Sequence, residues 1–262
     1  MKQKTLQIMH SPTLIRLISG LQRFYFSPTY LGTENLVPNQ PAMYVGNHTL
    51  YGVLDSPILI DYLFNEHKIA VVSLADHVHF HIPLWREMVK RVGAIDGVQA
   101  YARQAMQQGY SILVFPGGGR EVVKRKGEAY QLIWKQRYGF LKLAQEFNYE
   151  IAPFIALGGD EVFDLALDVN SLLKQNWFKK LLSYPKISEV LRHGEIIPSI
   201  PKSIIPKKIP FYFKFLPRLS LNHMQSMEDL IEFRAQLQQQ IYTEIELLKQ
   251  YREDDLKSKK ND

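Results

Sequence analysis

From residue 40 onward, short continuous apolar runs alternate with longer segments whose apolar residues recur every three to four positions. Residues 42–45, 69–74 (IAVVSL), 111–115 (SILVF) and 151–156 (IAPFIA) read as buried strands. Residues 57–65, 82–92 and 140–147 read as helices, as does the face made by Val98, Tyr101, Ala102 and Ala105. This order predicts an α/β fold, with a central, mainly parallel sheet flanked by helices and joined by right-handed crossovers. Ser11 and Pro12 mark the start of an earlier helix, as an N-cap with proline at the first helical position. Its apolar residues Leu14, Leu17, Ile18, Leu21 and Tyr25, accompanied by Arg16 and Arg23, suit either a membrane interface or packing on the domain. A last helix starts near Ser226 with a capping pattern completed by Asp229, and carries the stripe Leu230, Phe233, Leu237, Ile241, Ile245 and Leu248. The charged end (REDDLKSKKND) has the composition of a disordered tail. The expected layout is an amphipathic interface helix over 1–34, one domain over 35–250 and a charged tail over 251–262.

Composition narrows the chemistry. The chain of 262 residues has no cysteine, which excludes disulfides, a thiol nucleophile and a cysteine-based zinc site. A net charge of +6 suits an anionic membrane surface, acidic ligands or nucleic acid without choosing among them. No apolar run approaches the roughly 20 residues that span a bilayer, and no segment has the layout of a secretory signal. His77, His79 and His81 recur at period two, which on a strand would point them one way; a polar strand end beside the site entrance is expected there, and no metal. Lysines alternate with aromatics in WFKKLLSYPK and IPKKIPFYFKF, a pattern suited to a lipid interface.

Two loops carry candidate chemistry. The strand at 42–45 stops at Gly46-Asn47 and presents His48, with Asp55 further along. Histidine titrates near neutrality, and a carboxylate can fix its tautomer and stabilise the imidazolium. Without a second loop, His48 reads as an ordinary loop histidine and Asp55 as the N-cap of the next helix. The strand at 111–115 is followed by Pro116, Gly117, Gly118, Gly119 and Arg120, then by Lys124, Arg125 and Lys126. Consecutive glycines allow backbone N–H groups to surround an anion, and arginine adds a planar fork for phosphate or carboxylate. Both loops follow strands, so both belong at the C-terminal edge of the sheet, where ligands bind in such folds. Neither a nucleotide-binding phosphate loop nor the G-x-S-x-G elbow of serine hydrolases is present.

Four ordered blocks carry a resemblance. GNHTLYGVLD resembles the His…Asp catalytic block of the glycerolipid (lysophospholipid) acyltransferase superfamily. RVGAIDG, with Gly93, resembles its second block, VFPGGGRE its third (F-P-E-G-T-R), and IAPFIALG, with Pro153, its fourth. Two departures stand out. The usual acid position holds Val53, with Asp55 two residues later, and Gly117 stands where the family has Glu. The third block is closer to the branch of phytyl ester synthases and diacylglycerol acyltransferases. The resemblance implies transfer of a fatty acyl group from acyl-CoA or an acyl-carrier protein to a hydroxyl of a membrane lipid, either a lysophospholipid or a diacylglycerol or long-chain alcohol. It implies His48 as base with Asp55 in support. Gly117, Gly118, Gly119, Arg120, Glu121, Gly93 and Pro153 are the implied substrate-binding residues. No cofactor and no nucleic-acid partner are expected, and the implied location is peripheral, on the cytoplasmic face of a membrane. The different spacing leaves a second expectation, a catalytically inactive lipid-binding protein of the same fold.

Overall fold

The computed structural model describes residues 6–167, 169–192 and 194–261. Seven strands form one sheet in the order β1-β7-β6-β2-β5-β3-β4. In chain order they are β1 (Thr29–Leu31), β2 (Ala42–Gly46), β3 (Val71–Ala75), β4 (Ala94–Asp96), β5 (Ser111–Val114), β6 (Glu150–Leu157) and β7 (Tyr212–Phe215). β2 lies between β5 and β6, parallel to both, and among the pairings of these seven described strands β6–β7 alone is antiparallel. The expected α/β architecture is therefore present. Because β2 and β5 are adjacent and parallel, the loops that follow them rise side by side from one edge.

Alternation along β2 explains its continuous burial. Met43 and Val45 face one core, and Ala42 and Tyr44 face the other. The first core is closed by α4 (Gln99–Gln107), α6 (Gly139–Glu146) and α10 (Met227–Asn261), with Trp134 fully buried among them. The second is closed by α1 (Pro12–Phe26) and α2 (Ser56–Asp61) through Ile15, Phe26, Ile58 and Leu59. The helix start at Ser11 holds, its hydroxyl accepting the Leu14 N–H, and so does the capping box in which Ser226 and Asp229 exchange bonds.

Three strands escape the pattern. β1 and β4 are three residues each, too short for a period to show, and β7 lies inside a lysine-rich stretch. The expected tail from 251 is also corrected, because α10 runs on to Asn261. Arg252 pairs with Glu161, and the Tyr212 hydroxyl donates to Asp255, which also pairs with Lys259 one turn on. These ties to the body hold a segment whose composition alone would not fold.

The first helix is likewise revised. Arg16 and Arg23 turn inward to the buried Asp61 (3.5 and 3.1 Å), which also accepts from Ser19 and Asn65. Arg16 also pairs at the surface with Glu66 (2.7 Å), so both arginines have carboxylate partners. The outward apolar stripe is Leu17, Leu21 and Phe24, exposed by 73, 76 and 81 %. Leu14, Ile18 and Tyr25 are half-buried.

Candidate active site

The end of β2 is extended by a side chain. Asn47 lies just past the strand, and its amide accepts the Ala156 N–H (2.9 Å) and donates to the Ala156 carbonyl (2.8 Å). It reproduces one more rung of the β2–β6 pairing and so fixes where the chain leaves the sheet. The next residue is His48. Its ring stacks on Phe115, which follows β5, with centroids 3.8 Å apart and planes 9° from parallel. Its Nδ1 is buried with no hydrogen-bond partner. Burial, with Lys124 and His79 adding to it, pushes the imidazole down to about 3, so the ring is neutral at physiological pH. A neutral imidazole is the form that accepts a proton.

The loop beyond His48 is held from below by a buried ion pair. The Lys124 ammonium donates to Asp160 Oδ2 (2.6 Å) and to the His48 carbonyl (2.6 Å). Asp160 also accepts the N–H groups of Leu50 and Tyr130, at 2.6 Å each. The two side chains are 3 and 1 % exposed. A charge pair this deep persists only when its remaining valences are filled, and here both partners bond the backbone of the site. Lys124, one of the three basic residues that follow the glycines, is thus a strut. No sequence pattern marked Asp160, because its role depends on a lysine 36 residues away.

Asp55 does not reach the imidazole: no hydrogen bond or ion pair joins it to His48 among the described residues. It is buried at the N-cap position of α2, without a capping hydrogen bond from its side chain. Burial raises its carboxyl, against the opposing effect of Thr49 and the Ser56 backbone. The Thr49 hydroxyl approaches it without forming a proper hydrogen bond.

In the glycine loop, the Gly118 N–H turns back to the Phe115 carbonyl (2.9 Å), so that donor does not face a ligand. Gly118 has φ +50, and Arg137 closes over it while donating to the Pro116 carbonyl (2.8 Å). Gly117 and Gly119 border the same turn, against Glu121 and against Ile196 and Asp76 respectively. Arg120 is buried and bonded to Glu128 (2.5 Å), with its other terminal nitrogen unpartnered. Glu121 is fully buried beside the His48 amide.

Two expected residues lie elsewhere. Gly93 sits at the start of β4, where a Cβ would meet His10 and the Val71 carbonyl; that is the opposite edge from His48. Pro153 is buried mid-strand opposite Val45, its carbonyl accepting the Leu216 N–H (2.9 Å). The histidine-rich stretch is a 3-10 turn, His77–Phe80, rather than a strand. His79 accepts the Trp85 N–H (3.0 Å) and stands close enough to His48 to act on it electrostatically. No group of three potential metal ligands occurs among the described residues. A cavity of about 510 Å³ lies against α1 and α2, lined by Arg23, Tyr30, Asp61 and Tyr62, and includes none of the site residues.

The fold has a solved counterpart. The crystal structure of a 1-acyl-sn-glycerophosphate (LPA) acyltransferase from Thermotoga maritima superimposes with a TM-score of 0.57, at 15 % identity, covering 90 % of this chain and 80 % of that one. The family model Acyltransferase matches residues 27–156, the span that contains both loops. The chain belongs to the acyltransferase family. Among curated proteins it is 31 % identical over 145 residues to phytyl ester synthase 2, chloroplastic, of Arabidopsis thaliana, which covers 52 % of this chain and 20 % of the relative. It is 25 % identical over 160 residues to diacylglycerol O-acyltransferase 2A of Umbelopsis ramanniana, 58 % of this chain and 45 % of the relative. The chain therefore spans less than half the length of these relatives.

Proposed function

We propose that this protein transfers a fatty acyl group from an acyl thioester to a hydroxyl of a membrane lipid, with His48 as general base. The observation that carries the reading is the His48 ring itself: neutral, stacked against Phe115 and placed at the C-terminal end of a central strand. In the reaction, the acceptor oxygen attacks the thioester carbonyl carbon while its proton passes to His48. Collapse of the tetrahedral intermediate breaks the carbon–sulfur bond. The departing thiolate recovers the proton from the imidazolium, and no acyl-enzyme forms.

We further propose a neutral acceptor, such as a diacylglycerol or long-chain alcohol. Two of the basic groups around the loop already have carboxylate partners, Arg120 with Glu128 and Lys124 with Asp160. Phosphate would have to share their charge with those carboxylates. The names of the relatives, phytyl ester synthase and diacylglycerol acyltransferase, agree. Purified protein given a long-chain acyl-CoA and vesicles holding equal diacylglycerol and lysophosphatidic acid is expected to esterify the diacylglycerol, read by mass spectrometry. Preferential acylation of lysophosphatidic acid would refute the neutral acceptor.

No helix among the described residues is long and apolar enough to cross a membrane. The exposed stripe Leu17, Leu21 and Phe24 supports peripheral attachment at the lipid surface. Gln22, on the same helix, donates to the Val53 carbonyl in the His48 loop (2.9 Å), so the stripe adjoins the site. Leu21→Glu with Phe24→Glu is expected to abolish flotation with liposomes at unchanged thermal stability, since neither side chain is buried. Unaltered flotation would move attachment to the surface around Trp177 and Ile204, both of which are exposed.

A second reading, a lipid-binding protein without turnover, is favoured by the missing contact between Asp55 and His48. It predicts vesicle binding with no ester product for any acceptor.

A further inference from the structure

We propose that Glu121 is a positioning residue for His48, its carboxyl seated in the space that a side chain at position 117 would need. This rests on the acyl-transfer reading for its functional consequence, but its geometry stands independently. An ideal Cβ on Gly117 would lie 2.3 Å from the Glu121 carboxyl carbon and from Oε2, and 2.7 Å from Cγ. The Gly117 backbone is not left-handed, so its own conformation does not demand glycine. What excludes a side chain there is the Glu121 carboxyl.

That carboxyl is fully enclosed on α5 (Gly119–Val122). Oε1 accepts the Ile133 N–H (3.0 Å), and Oε2 accepts the His48 N–H at 3.4 Å. It therefore ties the segment after the glycine loop to the residue that carries the base. The charged groups acting on it are Lys124, from α5's own continuation, and Asp160, just past β6; His48, at the end of β2, acts on it through its backbone N–H. Lys124 and Asp160 neutralise each other. The ionisation of Glu121 thus sets the sign of the local charge. Ionised, it is the better acceptor for the His48 amide and favours the imidazolium that forms during proton transfer. Protonated, it does neither. Burial pushes the Glu121 carboxyl up to about 7.

The sign follows. The catalytically supportive state is present above that value, and turnover is expected to fall as pH drops through about 7. His48 does not titrate in that window, because it is held near 3. Stability runs the other way. A carboxyl raised in the folded state stabilises most below its unfolded value and ceases to do so as pH rises through its folded value.

A double-mutant cycle tests the seat. Gly117→Ala, Glu121→Ala and the double variant are compared in Tm and in kcat. Gly117→Ala alone is expected to lower Tm and to cut kcat roughly ten- to hundred-fold, by displacing the carboxyl and with it His48. In the Glu121→Ala background the same change should cost nothing in either quantity. Glu121→Gln, which keeps the shape, should retain the wild-type Tm to within a few degrees and lose the acidic limb of the kcat profile near pH 7. An equal Tm loss from Gly117→Ala in both backgrounds would overturn the seat. An unchanged acidic limb in Glu121→Gln would overturn the role. The Tm arm needs no turnover, so a protein that proves inactive sinks the acyl-transfer reading while the cycle still decides the geometry.

Discussion

Gly52→Ala is expected to cut turnover about a hundred-fold while the sheet remains folded. Gly52 has φ +62, and its N–H donates to the Thr49 carbonyl (3.0 Å). A Cβ built there would lie 2.2 Å from Cε1 of His48, 2.8 Å from Nε2 and 3.0 Å from Nδ1. The left-handed backbone alone costs a non-glycine residue roughly 1–2 kcal/mol. The larger effect is local: the methyl group must displace the imidazole edge, and Phe115 already covers one face of the ring. The ring has to tilt out of its stack, and a base displaced by about 1 Å loses far more rate than the fold loses stability. Kinetics and urea unfolding on the same preparation check this. Near-normal kcat would show that the His48 ring is not held where the structure places it, or is not the base.

The second large effect is on stability. Asp160→Asn is expected to destabilise the fold by about 3–5 kcal/mol, since it leaves the Lys124 ammonium buried beside a neutral amide. The amide oxygen can replace only part of a carboxylate that accepts from Leu50, Tyr130 and Lys124 at once. Replacing both partners, as Lys124→Met with Asp160→Leu, should recover part of that loss, because the uncompensated charge is gone. Recovery stays incomplete, since the Leu50 and Tyr130 N–H groups each lose a buried acceptor at about 1–3 kcal/mol. If Asp160→Asn unfolds at the wild-type urea midpoint, the buried pair is not the strut beneath the His48 loop.

Much of the frame was legible in the order of residues. The strands at 42–46, 71–75, 111–114 and 150–157 are long enough to show as apolar runs, and the helices between them carry a clear period. The adjacency of the His48 and glycine loops followed from both succeeding parallel strands. What stayed hidden depends on pairings across the chain. The strand at 212–215 is antiparallel to β6, though parallel to β1, and sits among lysines. Arg16 and Arg23 look like headgroup ligands until Asp61, itself inconspicuous in a helix, is seen between them. Lys124 reads as free positive charge beside the glycine loop until Asp160 is placed beneath it. Asp55 has the right chemistry for a dyad, and the loop through Tyr51 and Gly52, both with positive φ, leaves it at the head of α2 instead. The Glu at 121 and the Gly at 117 were both visible as residues; only the backbone shows that one occupies the space of the other.

The role proposed for His48 is to take a proton from a lipid hydroxyl during acyl transfer. The most direct measurement is ester formation from a long-chain acyl-CoA and diacylglycerol vesicles by the wild type and by His48→Ala, with circular dichroism on both. Product is expected from the wild type, with a loss of roughly 10²–10⁴-fold in the variant, the usual contribution of a general base, at unchanged secondary structure. A folded His48→Ala protein that esterifies diacylglycerol at the wild-type rate would contradict it.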